Sequence, residues 1–266
     1  MKKRIWLDCN LRGDDKILID LIRESDRSQL SLITTVACEN DSLSIAREIR
    51  NHVDDSIKVL AGADHPLAGK NFYAPDIKHK DMKKVIEEIY DVLKDMDRFE
   101  VILCGGATNL SYMFNVYPDI QDMIEKVVFV GGAYCFGTVT PVAEHNAYFD
   151  PEALEILLEK RVPLYFVPEE LRTDGYLSSL ALPALEQEEL FDFRKYKTGI
   201  EINADYTRGM TVIYRNGLDH FDYIEEGDEV NAVYVSVKEE QKNSFYPELK
   251  DSNVLKTYIQ KIKEGR

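Results

Sequence analysis

Short apolar runs that stop at polar or glycine-rich clusters, separated by stretches with helical periodicity, constrain this chain more than any other feature. Ile5-Trp6-Leu7, Leu30 to Ala37, Ile57 to Leu60, Val101 to Cys104, Lys126 to Val130 and Val162 to Val167 read as buried strands. The clusters that end them include Asp8 to Asp15, Cys38-Glu39-Asn40-Asp41, the turn Gly105 to Asn109, and Gly131-Gly132. Between them, Ile17, Leu18, Leu21 and Ile22 recur at helical spacing, as do Met82, Val85, Ile86, Ile89, Leu93 and Met96. Ser42 to His52 reads as a further helix, and Asp150-Pro151 opens another with Pro at its first position. Strands alternating with helices predict an α/β fold, a Rossmann-like open and mostly parallel sheet with helices on both faces. Ligands bind such sheets beyond the carboxyl ends of the strands, where these polar clusters fall.

No repeat, linker or low-complexity tract interrupts residues 1–266, so a single α/β domain is expected, and 44% apolar composition supports a sizeable core. The formal charge of −15 argues against a nucleic-acid or anionic-membrane partner, since both require a basic surface. Without a charged-then-apolar leader or a run of about 18 apolar residues, a cytoplasmic setting is expected. Cys9, Cys38, Cys104 and Cys135 form no CxxC pair and read as small buried hydrophobes, with Cys9 and Cys38 near the pocket. Asp64 to His79 has Pro66, Gly69 and Pro75 and no period, so it reads as a loop positioned to cover a pocket. Further on the pattern weakens. Ser178 to Tyr196 looks partly helical, Ile200-Glu201-Ile202 and Met210 to Tyr214 look extended, Val230 to Val237 reads as a strand, and Val254 to Ile262 reads as a last helix.

The first cluster carries the chemistry. One Asp in a strand-to-helix turn is an ordinary cap, but Asp8, Asp14 and Asp15 within eight residues point to a site for a hard cation or for sugar hydroxyls. Asp14 and Asp15 also suit the first turn of a helix, whose dipole favours negative charge.

Taken together, the strand ends resemble the inosine-uridine-preferring nucleoside hydrolase family. The resemblance rests on Asp8-x-Asn10-x-x-x-Asp14-Asp15 for the family's DxDxxxDD, Ile33-Thr34-Thr35-Val36, Val59-Leu60-Ala61-Gly62 with Pro66-Leu67, and Gly106-Ala107-Thr108-Asn109 for GPLTN. It continues through Val130-Gly131-Gly132-Ala133 for MGGA, Ala143-Glu144-His145-Asn146 for AEFN, Asp150-Pro151-Glu152-Ala153 and Thr207 to Val212. It implies an N-ribohydrolase, in which water replaces the base of a ribonucleoside or related ribosyl compound, and a catalytically inactive binder of a ribosyl ligand or protein partner is the alternative. It further implies a Ca²⁺ that grips the ribose hydroxyls and activates the water, with Asn10, Asp15 and the Thr108 carbonyl as metal ligands and Asp8 close by. Asp14, Asn40, Glu144 and Asn146 would face the ribose, and a homodimer or tetramer is implied.

The departures from the pattern bear on activity. The family's general base and calcium ligand is Asn10 here, and an amide nitrogen cannot accept a proton. Asp14 and Glu39 are the substitutes at hand. The family's His-Asp pair, which brings the last calcium carboxylate, belongs between about Thr173 and Ile200, where no His occurs; Asp192 is the substitute considered for its acid. Two negative charges are thereby lost from the metal's surroundings, so weak or absent calcium binding is predicted. Arg12 could occupy the metal's place by pairing with the carboxylates. His145 is a candidate to protonate the leaving base, and Phe72, Tyr73, Tyr134 or Phe136 to stack on it. Neither double glycine has dinucleotide-binding spacing. Glu186, Glu188 and Glu189 read as a solvated helix face.

Overall fold

The computed structural model describes residues 2–195 apart from 69, 79, 134–136, 140–142, 173 and 174, and beyond them 212–213, 233–234, 244–250, 257, 260 and 264. In chain order its elements are β1 (Lys3–Cys9), α1 (Asp15–Glu24), β2 (Ser28–Thr35), α2 (Ser42–Arg50), β3 (Lys58–Ala61), α3 (Met82–Leu93), β4 (Phe99–Cys104), α4 (Thr108–Val116) and β5 (Ile124–Val130). There follow α5 (His145–Phe149), α6 (Pro151–Glu159), β6 (Leu164–Val167), α7 (Ala181–Glu186), β7 (Phe191–Lys195), β8 (Val212–Ile213), β9 (Val233–Tyr234) and β10 (Ser244–Leu249).

The main sheet runs β3-β2-β1-β4-β5-β6-β10-β7, and β8 and β9 pair separately. Strands β1 to β6 are all parallel, β10 joins β6 in parallel, and β7 closes the edge antiparallel to β10. Strand order reverses between β1 and β4, which opens a crevice at their carboxyl ends.

Period-two alternation sends the strand residues to two cores. Trp6, Leu32, Val101, Leu103, Val127, Phe129 and Phe166 pack with Ile86, Ile89 and Leu93 of α3, Leu110 and Phe114 of α4, and Leu154 and Leu157 of α6. Ile5, Leu7, Ile33, Ile102, Cys104 and Val128 pack on the opposite face with Leu18, Ile19 and Ile22 of α1 and Ile45 and Ile49 of α2. Each fully buried Leu or Ile of these clusters contributes about 1.5–3 kcal/mol by leaving water. Helix starts follow local capping: Asp41 accepts from Ser44 N–H at 2.9 Å, and Asp150 accepts from Ala153 N–H at 3.1 Å with Pro151 in the first turn.

Several elements differ from the sequence expectation. Residues 108–116 form a helix with no polar face for periodicity to detect, because α4 is buried between the sheet and α6, where Ser111 Oγ donates to Ala153 O at 2.6 Å. Glu144 is the N-cap of the short α5, whose first turn takes in His145 and Asn146, a helix that the sequence pattern does not mark. In the acidic run at the end of α7, Glu188 and Glu189 are exposed, with Glu188 pairing to Lys126, while Glu186 is half-buried and accepts from the hydroxyls of Ser25 and Ser28. Ile200 to Ile202, Thr207 to Thr211, most of Val230 to Val237 and most of the last helix lie outside the described residues, as do Tyr134, Cys135, Phe136 and His79.

Candidate active site at the carboxyl ends of the strands

A cavity of about 280 Å³ opens at the strand-order reversal, lined by residues from the ends of β1, β4 and β5 and from the segment before α7. The chain leaves β1 through Leu11 and Gly13, both at positive φ (58° and 59°). For Leu11 this left-handed conformation costs about 1–2 kcal/mol. These two residues turn the backbone so that Asn10, Asp14 and Asp15 all border the same space.

The orientation of Asn10 is set by its neighbours. The Val130 carbonyl can only accept, so Asn146 presents Nδ2 to it at 2.7 Å. Asn146 Oδ1 then faces Asn10, whose Nδ2 donates to it at 3.1 Å, and Asn10 Oδ1 accepts from Arg12 N–H at 3.1 Å. Backbone groups thus fix the polarity of this relay at both ends, and residue 10 must offer a donor in the middle.

Asp14 is spent on the far wall. One carboxylate oxygen accepts from Leu177 and Ser178 N–H (3.3 and 2.9 Å), and the other accepts from Ser179 N–H at 2.7 Å and from the Ser179 hydroxyl. Thus the stretch where the resemblance implies a His-Asp pair delivers Leu177 and Ser178 to the pocket instead, with Ser179 buried behind them on Asp14. Asp15 differs from Asp14: it is 1% exposed and neither of its oxygens has a hydrogen-bond partner among the described residues. Burial pushes its carboxyl up to about 8; the Ser178 hydroxyl stands close enough to offset part of this without meeting hydrogen-bond geometry, and the Asp14 charge adds to the rise.

Glu144 caps α5, accepting from the N–H groups of Gly132, Asn146 and Ala147 at 2.9 to 3.2 Å. Burial still pushes its carboxyl up to about 7, against these donors. A Cβ on Gly131 would stand 2.6 Å from Glu144 Oε2, so the backbone approaches the carboxylate as only glycine allows.

Arg12 does not fill a metal's place. Its Nη1 donates to His145 Nδ1, its Nη2 lies 3.0 Å from Glu39 Oε1, and its guanidinium stands 5.9 Å from the Tyr73 ring centre. With Nδ1 accepting, the His145 proton sits on Nε2 and points to Cys38 Sγ at 3.0 Å. Burial and then the Arg12 charge hold the imidazole down to about 4, so it is neutral, and both ring nitrogens are engaged by protein. Tyr73 packs on its face at 4.3 Å. Burial and the Glu39 charge push the Cys38 thiol up.

The loop from Asp64, expected to cover the pocket, contributes none of its described residues to the cavity lining and is tied down at several points. Asn71 Nδ2 donates to Cys38 O at 3.0 Å while its Oδ1 accepts from Tyr73 and Ala74 N–H, and Leu67 N–H donates to Asp150 at 2.9 Å. Lys80 pairs with buried Asp64 at 2.8 Å. Phe72 is half-exposed beside Tyr148.

Of the sequence-derived site residues, Asn10, Asp14, Asp15, Glu144, His145 and Asn146 come together around the cavity. Asn40 is exposed and outside its lining, and Glu39 reaches it only through Arg12. Asp8 lies beneath: its Oδ1 accepts from Thr34 Oγ1 at 2.6 Å and Asn109 Nδ2 at 2.9 Å, and burial pushes its carboxyl up to about 6. The Thr108 hydroxyl donates to Asp150 at 2.6 Å. Of the cysteines, Cys104 lines the cavity and Cys9 does not. Arg172, Leu177 and Ser178 were not foreseen. Arg172 stands five residues past the end of β6, where the strand-end rule that found the other clusters would have found it.

Calcium takes six to eight oxygens, several of them anionic. Here Asp15 offers the one carboxylate with unspent oxygens in the cavity, the Asn10 oxygen is engaged by Arg12 N–H, and Asp14 is saturated. Among the described residues, no three His, Cys, Asp or Glu side chains are grouped to hold a metal. These residues do not fit the calcium site that the resemblance implies.

Comparison with known proteins gives the same geography a name. The model of the inosine-uridine preferring nucleoside hydrolases matches residues 5–182, which spans every cavity-lining element. The chain belongs to this family. It is 28% identical over 209 residues to an inosine-uridine preferring nucleoside hydrolase of Leishmania major, covering 70% of this chain and 65% of that one. It is 27% identical over 230 residues to the Crithidia fasciculata protein of the same description, covering 78% and 72%. Among solved structures, a purine-preferring ribonucleoside hydrolase from Gardnerella vaginalis superposes with a TM-score of 0.71 at 18% identity, covering 98% of both chains. An inosine-uridine preferring nucleoside hydrolase from Bacillus anthracis does so with 0.69 at 14% identity, covering 98% and 99%. At those identities the likeness is one of fold. Family members are in general metal-dependent, and the fit of donors described above is where this chain departs. No helix among the described residues is long and apolar enough to cross a membrane.

Proposed function

We propose that this chain binds the ribosyl moiety of a nucleoside in the cavity and hydrolyses its N-glycosidic bond slowly. The observation that carries this reading is the gathering of Asn10, Asp14, Asp15, Glu144 and Asn146 around one cavity in a member of this family. Amide groups and buried carboxyls on converging walls suit a sugar edge, which offers both donors and acceptors. Asp15 is the pocket acid with unpartnered oxygens among the described residues, so its ionised form, a minority at neutral pH with the carboxyl raised to about 8, is the group able to take the proton of an attacking water while the bond from the anomeric carbon breaks and its electron pair leaves with the base. His145 is neutral and engaged at both nitrogens, so it does not deliver a proton to the leaving base. Asp14 and Glu39 are spent on the pocket wall and on Arg12, and neither replaces the base absent at Asn10. General acid–base catalysis supplies typically 10²–10⁴-fold, and a pocket lacking part of it turns over correspondingly slowly.

The fixed amide relay through Asn10 favours a second reading, a ribosyl-binding relative without turnover. Incubation with a mixed nucleoside panel, followed by chromatography for free base, separates the two. Released base supports hydrolysis. A nucleoside that raises the melting temperature without base release supports binding alone, and neither effect refutes both. A single domain over residues 1–266, a cytoplasmic setting and the implied dimer or tetramer belong to the same reading.

A further inference from the structure

Two guanidinium groups line the cavity of this acidic protein, Arg12 from the loop after β1 and Arg172 from the turn after β6. A neutral nucleoside gives them little to do. Sugar hydroxyls are matched by amides and carboxyls, whereas two full positive charges on a partly enclosed wall match an anion. Of the three carboxyls in the cavity lining, Asp14 and Glu144 are already committed, and neither arginine pairs with Asp15. Asp14 accepts from residues 177–179, and Glu144 accepts from Gly132, Asn146 and Ala147. Each arginine instead pairs with a glutamate outside the cavity lining: Arg12 with Glu39, whose side chain is 50% exposed, and Arg172 with Glu169 through Nε and Nη2. Arg12 Nε and Arg172 Nη1 have no partner among the described residues, so each fork keeps donors to spend. Tyr73 and His145 brace Arg12 at the cavity wall, which lowers the entropy lost when it grips a ligand.

We infer that the cavity takes a phosphorylated ribosyl compound, a nucleoside monophosphate or ribose phosphate, with Arg12 and Arg172 receiving the phosphate. This rests on the ribosyl reading above and narrows its ligand class. The net charge of −15 does not oppose it at contact range, since exposed charges beyond about 8 Å are screened at physiological ionic strength.

Calorimetry and thermal melting of the full chain with ribose, ribose 5-phosphate, a nucleoside, its 5′-monophosphate and inorganic phosphate test the inference. Charge-assisted hydrogen bonds predict that each phosphorylated ligand binds on the order of 10- to 100-fold more tightly than its parent. Arg12→Met and Arg172→Met should each shrink that gap, Arg→Lys at either position should keep part of it, and added salt should narrow it. Melting of the unliganded variants establishes that they are folded. A nucleoside that binds as well as its monophosphate overturns the inference and leaves the ribosyl reading standing. Failure of every ribosyl ligand overturns both. Inorganic phosphate binding as tightly as ribose 5-phosphate, or a gap that survives in both methionine variants, also overturns it.

Discussion

Asn10→Asp is the substitution that best separates a rebuilt site from a damaged one. In the relay, Val130 O receives Asn146 Nδ2, Asn146 Oδ1 receives Asn10 Nδ2, and Asn10 Oδ1 receives Arg12 N–H. A carboxylate at position 10 keeps the last of these and loses the middle one, because two acceptors then face each other across 3.1 Å. Turning the Asn146 amide only moves the conflict to the Val130 carbonyl. Either way one buried acceptor is left unpaired, at a cost of about 1–3 kcal/mol. For a chain of this size that lowers the melting temperature by roughly 2–12 °C. The new charge also stands near Asp14 and Asp15, so in a chelator the loss should lie toward the upper end. Millimolar calcium should recover part of it, because a second free carboxylate beside Asp15 begins a cation site, while the wild type should respond little. The same variant restores a proton acceptor at this position and is expected to release base from nucleosides faster when calcium is present. The assay is thermal melting of both proteins in chelator and in calcium, with base release in parallel. A variant as stable as the wild type in chelator, or a wild type that gains as much from calcium as the variant, would refute the argument.

Three further outcomes follow from the geometry. Asp14→Asn replaces one acceptor oxygen with a donor that faces the N–H groups of residues 177–179, so at least one buried donor is orphaned; melting should show a loss of about 1–3 kcal/mol, and nucleoside binding should weaken as Ser178 leaves the cavity wall. An unchanged melting temperature would show that this cap is not what holds the segment. Gly62→Ala puts a Cβ 2.3 Å from both Asn109 Nδ2 and Thr35 O, inside the network that holds Asp8, and should cost more than about 4 kcal/mol. Gly13→Ala meets nothing within 4 Å and should cost only the left-handed backbone conformation, about 1–2 kcal/mol, so equal losses in the two variants would contradict the packing. Asp150 is fully buried and its carboxyl is pushed up from 3.8 to about 6 by burial, with Thr108, Leu67 and Ala153 pulling back. The folded state therefore holds this proton more tightly than the unfolded chain. The stability this contributes is present below the unfolded value and lost as pH rises through about 6, about 3 kcal/mol in all. Denaturant titration should accordingly show Asp150→Asn costing more relative to wild type near pH 4 than near pH 8 by about that amount; a cost independent of pH would contradict the assignment.

The sequence alone determined the order of the strands up to β6, the helices between them other than α4 and α5, and the end of the sheet where the site lies. Those properties rest on local signals: β-branched runs, helical spacing, Pro151 after Asp150, and polar clusters at strand ends. It missed α4, whose burial on all sides erased the amphipathic signal, and it placed Asn40 on the ribose although residue 40 is exposed. It also gathered Asp8, Asp14 and Asp15 into one site because they are neighbours in the chain. The fold separates them: Asp8 holds Thr34 and Asn109 through one oxygen below the cavity, Asp14 caps residues 177–179, and Asp15 borders the cavity with neither oxygen hydrogen-bonded among the described residues. That division could not be read from the loop, because each partner comes from a distant part of the chain. The destination of Arg12, the neutral tautomer of His145 and the arrival of Arg172 at the same cavity were likewise decided by tertiary packing, which sets the distances on which charge and hydrogen bonding depend.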